Sequence, residues 1–168
     1  MKIRKRQIQL FILLFAASSL LFQFPPDAFA ATPSDISATD SMTNGASVKL
    51  NGPAYGATFT IGSSTYAIVT ANVDDAVQII DISDPTNITA TGFMTNSASR
   101  ELNGAADVDV FTIGSSTYAI VTANADHGVQ IIDISDPTNI TATDSMDNDG
   151  AGVPNLGGAY GVDTFVIG

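Results

Sequence analysis

The sequence has no cysteine, a single histidine (His127) and a single glutamate (Glu101). Without cysteine there are no disulfides, no thiol nucleophile and no thiolate metal site. A domain without disulfides is held by its core alone. One histidine and one glutamate leave few parts for acid–base catalysis, and the chain is read as not an enzyme. Basic residues are scarce too. Of six Lys and Arg, four (Lys2, Arg4, Lys5 and Arg6) precede the first apolar run, and only Lys49 and Arg100 remain beyond it. Acidic residues total 17, nearly all aspartate. Such a surface repels nucleic acid and anionic lipid. It suits solubility, cation contact or a salty medium. Helical periodicity is also missing after residue 31, so every local signal there is strand or turn.

Residues 1–30 read as a secretory signal. The four basic residues lead, Ile8 to Phe22 is apolar, Pro25-Pro26 ends any helix, and Ala28-Phe29-Ala30 places cleavage after Ala30. The apolar run is shorter than the roughly 20 residues a membrane span needs, so the mature chain is expected to have no span. There is no adjacent arginine pair, which favours the general export route. The expected location is extracellular or at the cell surface. Residues 31–35 form a polar leader.

The rest of the chain is repetitive. Thr60 to Asn72 recurs unchanged as Thr112 to Asn124, and Val77 to Asn87 recurs as Val129 to Asn139. The offset from Ile79 to Ile131 sets a period of 52 residues. The units are 36–87, 88–139 and a partial 140–168. A fixed period of this size means a stacked or circular array. Each unit predicts four strands: Ala54–Ile61, Thr65–Ala71, Val77–Ile82 and Ile88–Met94, then Ala106–Ile113, Thr117–Ala123, Val129–Ile134 and Ile140–Met146. The middle strands are β-branched and apolar on both faces, so both faces are expected to be covered. Gly62-Ser63-Ser64 predicts a tight hairpin, and Asp84-Pro85-Thr86-Asn87 a turn. Four strands per unit is the size of one β-propeller blade; a β-solenoid is the alternative. The fold expected is an all-β propeller, with Asp81 and Asp133 bonding to turn backbone.

The run Tyr66-Ala67-Ile68-Val69 with Val77-Gln78-Ile79-Ile80-Asp81-Ile82-Ser83-Asp84-Pro85-Thr86-Asn87 resembles the LVIVD repeat of secreted and cell-surface propeller proteins of archaea and bacteria. Both complete copies carry it. The family often has Asp-Gly before the Val-Gln pair. Here Asp75-Ala76 and His127-Gly128 stand there. The resemblance implies a propeller at the cell surface and no particular reaction. Because the third copy stops at Phe165-Val166-Ile167-Gly168, and two blades do not close a ring, the chain is expected to be the N-terminal part of a longer protein.

Within the chain the copies differ unevenly. Gly-Ser-Ser and Asp-Pro-Thr-Asn are constant. Val73-Asp74-Asp75-Ala76 becomes Ala125-Asp126-His127-Gly128, Val48-Lys49 becomes Arg100-Glu101, and Tyr55-Gly56-Ala57-Thr58 becomes Asp107-Val108-Asp109-Val110. The third copy is read there as Tyr160-Gly161-Val162-Asp163. In propeller geometry the variable segments share one face, where ring-shaped proteins usually bind. Candidate ligand-binding residues on it are Asp74, Asp75, Asp107, Asp109, Asp126 and His127, and the partner is expected to be a protein, a glycan or a cation. Ser145-Met146-Asp147-Asn148-Asp149-Gly150 partly matches a calcium loop, making Asp147 and Asp149 candidate ligands, though the leading Asp and closing Glu are missing. A solvated acidic turn fits the same residues. No other cofactor is indicated. Asn87-Ile88-Thr89 and Asn139-Ile140-Thr141 match the glycosylation pattern. The functional expectation is an exported acidic propeller acting as a surface binding module. The alternatives are a larger secreted enzyme with its active site in further blades, or a structural envelope component.

Overall fold

A computed structural model describes residues 37–148 and 155–165. The signal segment 1–30, its cleavage after Ala30, the leader 31–35 and Asp149 lie outside the described residues. The unit Thr39–Gly168 carries all the described strands; of the unit Met1–Ala38, only Ser37 and Ala38 are described.

The described chain is all-β. β1 (Pro53–Ile61), β2 (Ser64–Ala71), β3 (Ala76–Asp81) and β4 (Thr89–Thr95) form one antiparallel meander. β5 (Ala105–Ile113), β6 (Ser116–Ala123), β7 (Gly128–Asp133) and β8 (Thr141–Met146) form a second. The strands match the eight expected to within about a residue at each end. β5 lies against β1 and β2 of the first sheet, so the inner strands of the two sheets are neighbours. These are two four-stranded propeller-type blades.

Local chemistry explains the elements. Gly62 and Gly114 sit at φ 62° and 63° in two-residue hairpin loops, and a positive φ at the first loop position marks the primed turns that suit strand twist. Asp84 Oδ1 accepts the Thr86 N–H at 2.9 Å, and Asp136 repeats this on Thr138. Ser83 N–H donates to Asp81 Oδ1 and Ser135 N–H to Asp133 Oδ1, both at 2.9 Å, as expected for Asp residues that open a turn. β3 is buried along nearly its whole length, with Val77 and Ile79 fully inaccessible. β7 has the same apolar sequence but alternates buried with half-buried.

Each blade has two irregularities filled by a polar side chain. β1 and β5 carry an extra residue opposite β2 and β6. The Thr70 hydroxyl enters the first bulge, accepting the Tyr55 N–H at 3.0 Å and donating to Ala106 O of the next blade. Thr122 does likewise with Asp107 N and Tyr160 O. The second irregularity lies between β3 and β4. There the buried Gln78 donates to Ile79 O and Gly92 O at 2.9 Å, and its Oε1 accepts the Lys49 N–H at 2.8 Å. Gln130 repeats the set on Ile131 O, Asp144 O and Glu101 N.

The structure corrects the alignment of the third copy. Gly52, Gly104 and Gly158 share a φ near +70°, and Tyr160 O is held as Ala106 O is. Tyr160 is therefore the counterpart of Ala106 rather than Asp107, one residue away from its place in the sequence alignment.

Candidate functional site

The β2–β3 turns and the segments entering each blade meet at one end of the sheets. Asn72 N donates to Gly52 O, and Val73 N and Asp74 N to Asn51 O. Asn124, Ala125 and Asp126 repeat this on Gly104 O and Asn103 O. The variable segments thus share an end, while the Gly-Ser and Asp-Pro-Thr-Asn turns lie at the other ends of the same strands.

Each of the six candidate residues accepts a backbone N–H and so helps to hold the scaffold together. Asp74 Oδ2 accepts the Asn51 N–H at 3.1 Å, and Asp126 Oδ2 the Asn103 N–H at 2.8 Å. Each carboxylate ties a blade's entry segment to its own turn. Asp75 and His127 occupy the left-handed region at φ 50° and 55°, where Asp and His are among the commoner non-glycine residues. Both reach forward to the next blade: Asp75 Oδ1 accepts the Gly104 N–H at 2.8 Å, and His127 Nδ1 the Gly158 N–H at 3.0 Å. The substitution of one by the other therefore preserves an acceptor.

Asp107 and Asp109 project from β5 toward the segment 160–164. Asp107 Oδ2 accepts the Val162 N–H at 3.0 Å. Asp109 Oδ2 accepts both the N–H and the hydroxyl of Thr164. The Thr164 hydroxyl holds the Asp109 carboxyl below the usual carboxylate range, against a smaller opposing effect of burial. Asp109 pairs with Ile120 within the sheet, so it sits along the inner strand rather than on a loop. Ser83, Thr86 and Thr138 hydroxyls similarly lower the carboxyls of Asp81, Asp84 and Asp136.

Asp147 is half-buried and already engaged. Among the described residues, no three His, Asp or Glu side chains group as a metal-ligand set. Asn87 and Asn139 are exposed, as are Thr89 and Thr141 beside them. No described helix is long and apolar enough to cross a membrane.

Large apolar and aromatic side chains are exposed at this end, beside the exposed polar Asn51, Asn72 and His127. Tyr55 is 52 % exposed, Val73 63 % and Tyr160 58 %. Tyr55 stands in the β1 bulge, and bulges re-aim side chains. Lys49 Nζ lies 5.5 Å over the exposed Phe93 ring, a cation–π arrangement. Tyr55, Val73 and Tyr160 lie inside the segments that vary between copies, but a reading for charge passes over them. The change from Tyr55 to Asp107 and from Val73 to Ala125 is the available signal.

No curated protein matches the chain. The family model of the LVIVD repeat matches residues 63–95 and 115–148, which run from β2 to β4 and from β6 to β8. With one such match in each sheet, the chain carries two LVIVD repeats.

Proposed function

We propose that this chain is an exported binding module that recognises a protein or glycan through the end of the blades where the β2–β3 turns and entry segments meet. The carrying observation is the division of labour there. The carboxylates accept backbone N–H groups, whereas Tyr55, Val73 and Tyr160 face solvent. Tyrosine offers a rigid ring with a polar tip, suited to stacking on a sugar face or anchoring in a protein pocket. Export rests on Lys2 to Arg6, the apolar run and Ala28-Phe29-Ala30. No catalytic role is proposed.

The test is retention on a glycan array and on immobilised envelope extract. Three forms are compared: the wild type, a Tyr55→Ser/Val73→Ser/Tyr160→Ser variant, and a variant altered at Ser63 and Ser115 in the opposite hairpins. Loss in the first variant alone is expected. Equal loss in both variants, or no retention of the wild type, refutes the reading.

A further inference from the structure

The β2–β3 and β6–β7 turns share a backbone shape but differ in chemistry. Asp75 and His127 hold equivalent places in the repeat, at φ 50° and 55°. Each reaches forward to a glycine of the following segment, Gly104 at φ 68° or Gly158 at φ 71°. Asp75 Oδ1 accepts the Gly104 N–H at 2.8 Å, and His127 Nδ1 accepts the Gly158 N–H at 3.0 Å. One contact is closed by a carboxylate. The other is closed by the single imidazole of the sequence.

An imidazole nitrogen accepts a hydrogen bond only while it carries no proton. The neutral ring has one acceptor and one donor, and the charged ring has two donors. With Nδ1 accepting, the proton of the neutral ring sits on Nε2. A proton added at Nδ1 sets two N–H groups face to face, and the attraction is lost. Histidine is the side chain that changes charge between about pH 5 and 8, whereas aspartate does so near ~4. The closed contact takes the neutral ring alone, while the open turn takes either form, so acid favours opening.

The neighbouring charges act in the same direction. Asp126 adjoins His127 in the turn, and its carboxylate accepts the Asn103 N–H. Beyond the end of β8, Asp147 packs beside the turn: a Cβ on Gly128 would lie 3.4 Å from the Asp147 Cβ. On β5, Asp107 accepts the Val162 N–H. Across the contact, residues 155–160 bring no Asp, Glu, Lys, Arg or His, and Tyr160 is their one titratable side chain. The charges around the ring are acidic and favour its cationic form.

The remainder of the following segment is fastened by other groups. The Thr122 hydroxyl donates to Tyr160 O, Asp107 accepts the Val162 N–H, and Asp109 accepts both the N–H and the hydroxyl of Thr164. None of these bonds involves the histidine. Opening is therefore confined to the turn that the Ala159 N–H closes on Leu156 O at 2.9 Å, next to the exposed Tyr160.

We propose that His127 is a pH-sensitive latch. Neutral, it holds the Leu156–Ala159 turn against the β6–β7 turn; protonated, it releases that turn, while the Asp75 contact with Gly104 stays closed. The latch does not depend on what binds at this end of the blades.

The test is amide exchange by NMR in the full-length protein, expressed as protection relative to the free-peptide rate at each pH, from about pH 8 to 5. Gly158 is expected to lose roughly fivefold in protection or more, the equivalent of one hydrogen bond. The midpoint should coincide with the titration of the His127 ring protons, and Gly104 should not change. Two variants exchange the acceptors. His127→Asp is expected to keep Gly158 protected at the acid end, and Asp75→His to give Gly104 the acid-dependent loss. Gly158 protection that stays flat while the His127 ring titrates overturns the proposal. So does an equal fall in His127→Asp, or a Gly104 that stays protected at the acid end in Asp75→His.

Discussion

Replacing Gln78 with methionine removes three hydrogen bonds while keeping the side chain's length. Gln78 is fully inaccessible, and its amide holds Ile79 O, Gly92 O and Lys49 N at 2.8–2.9 Å. A net hydrogen bond is worth about 1 kcal/mol, and a buried partner left unsatisfied adds more. Lys49 is half-buried, so water re-satisfies part of the loss. Gln78→Met is therefore expected to cost about 2–4 kcal/mol, out of a total stability on the order of 5–15 kcal/mol for a domain. In urea titration, with m about 1–3 kcal/mol/M, the midpoint falls by roughly 1–2 M with m unchanged. Gln130→Met makes the same set of losses in the other blade, and the two costs are expected to be close to additive. A loss under about 0.5 kcal/mol, the scale of an ordinary surface substitution, would refute the idea that these glutamines close the β3–β4 irregularity.

Four further outcomes are expected from the geometry. Asp109→Ala, which installs the residue of the sister position Ala57, is destabilising at neutral pH. The folded-state carboxyl is held below its usual range, so its contribution is present above the ordinary aspartate value near ~4 and is lost as pH falls through the folded value. The gap between wild-type and variant urea midpoints therefore narrows in acid. Gly104→Ala forces a side chain into φ +68° with its Cβ 3.1 Å from Ala125 N; at roughly 1–2 kcal/mol, calorimetry reads a Tm lower by about 3–8 °C. His127→Asp keeps an acceptor for Gly158 N and leaves the Tm near wild type, whereas His127→Ala lowers it, the loss of one hydrogen bond costing about 1 kcal/mol. Passed through a eukaryotic secretory route, the chain carries glycans on the exposed Asn87 and Asn139, and the intact mass drops by one glycan for each Asn→Gln change.

Period and strand chemistry made the architecture legible. Two faces of β-branched residues in Val77–Ile82, a glycine opening each hairpin and Asp-Pro-Thr-Asn closing β3 are local signals, and all eight strands can be read from them. Asp81 and Asp133 were readable for the same reason, because their partners Ser83 and Ser135 are two residues away. The candidate site was less legible. Asp75 bonds Gly104, and Asp107 bonds Val162; separations of that size depend on how one blade meets the next, which no local pattern encodes. Charge on a variable loop therefore looked available when it was engaged. Thr70 and Gln78 carry the complementary lesson: a polar residue kept in both copies of an apolar strand marks a bulge to be filled. The one-residue displacement at Tyr160 became visible through the φ of Gly158 and the bond of the Thr122 hydroxyl.

Backbone N–H groups outside the strands are held by side-chain acceptors, of the same blade at Lys49 and Glu101 and of the preceding blade at Gly104. Amide hydrogen exchange at Lys49, Glu101 and Gly104, read by NMR, tests this most directly. Their acceptors are Gln78, Gln130 and Asp75. Slow exchange at all three, with selective release of Gly104 in Asp75→Ala and of Lys49 in Gln78→Met, is the predicted result. Exchange at free-peptide rates in the wild type would contradict it.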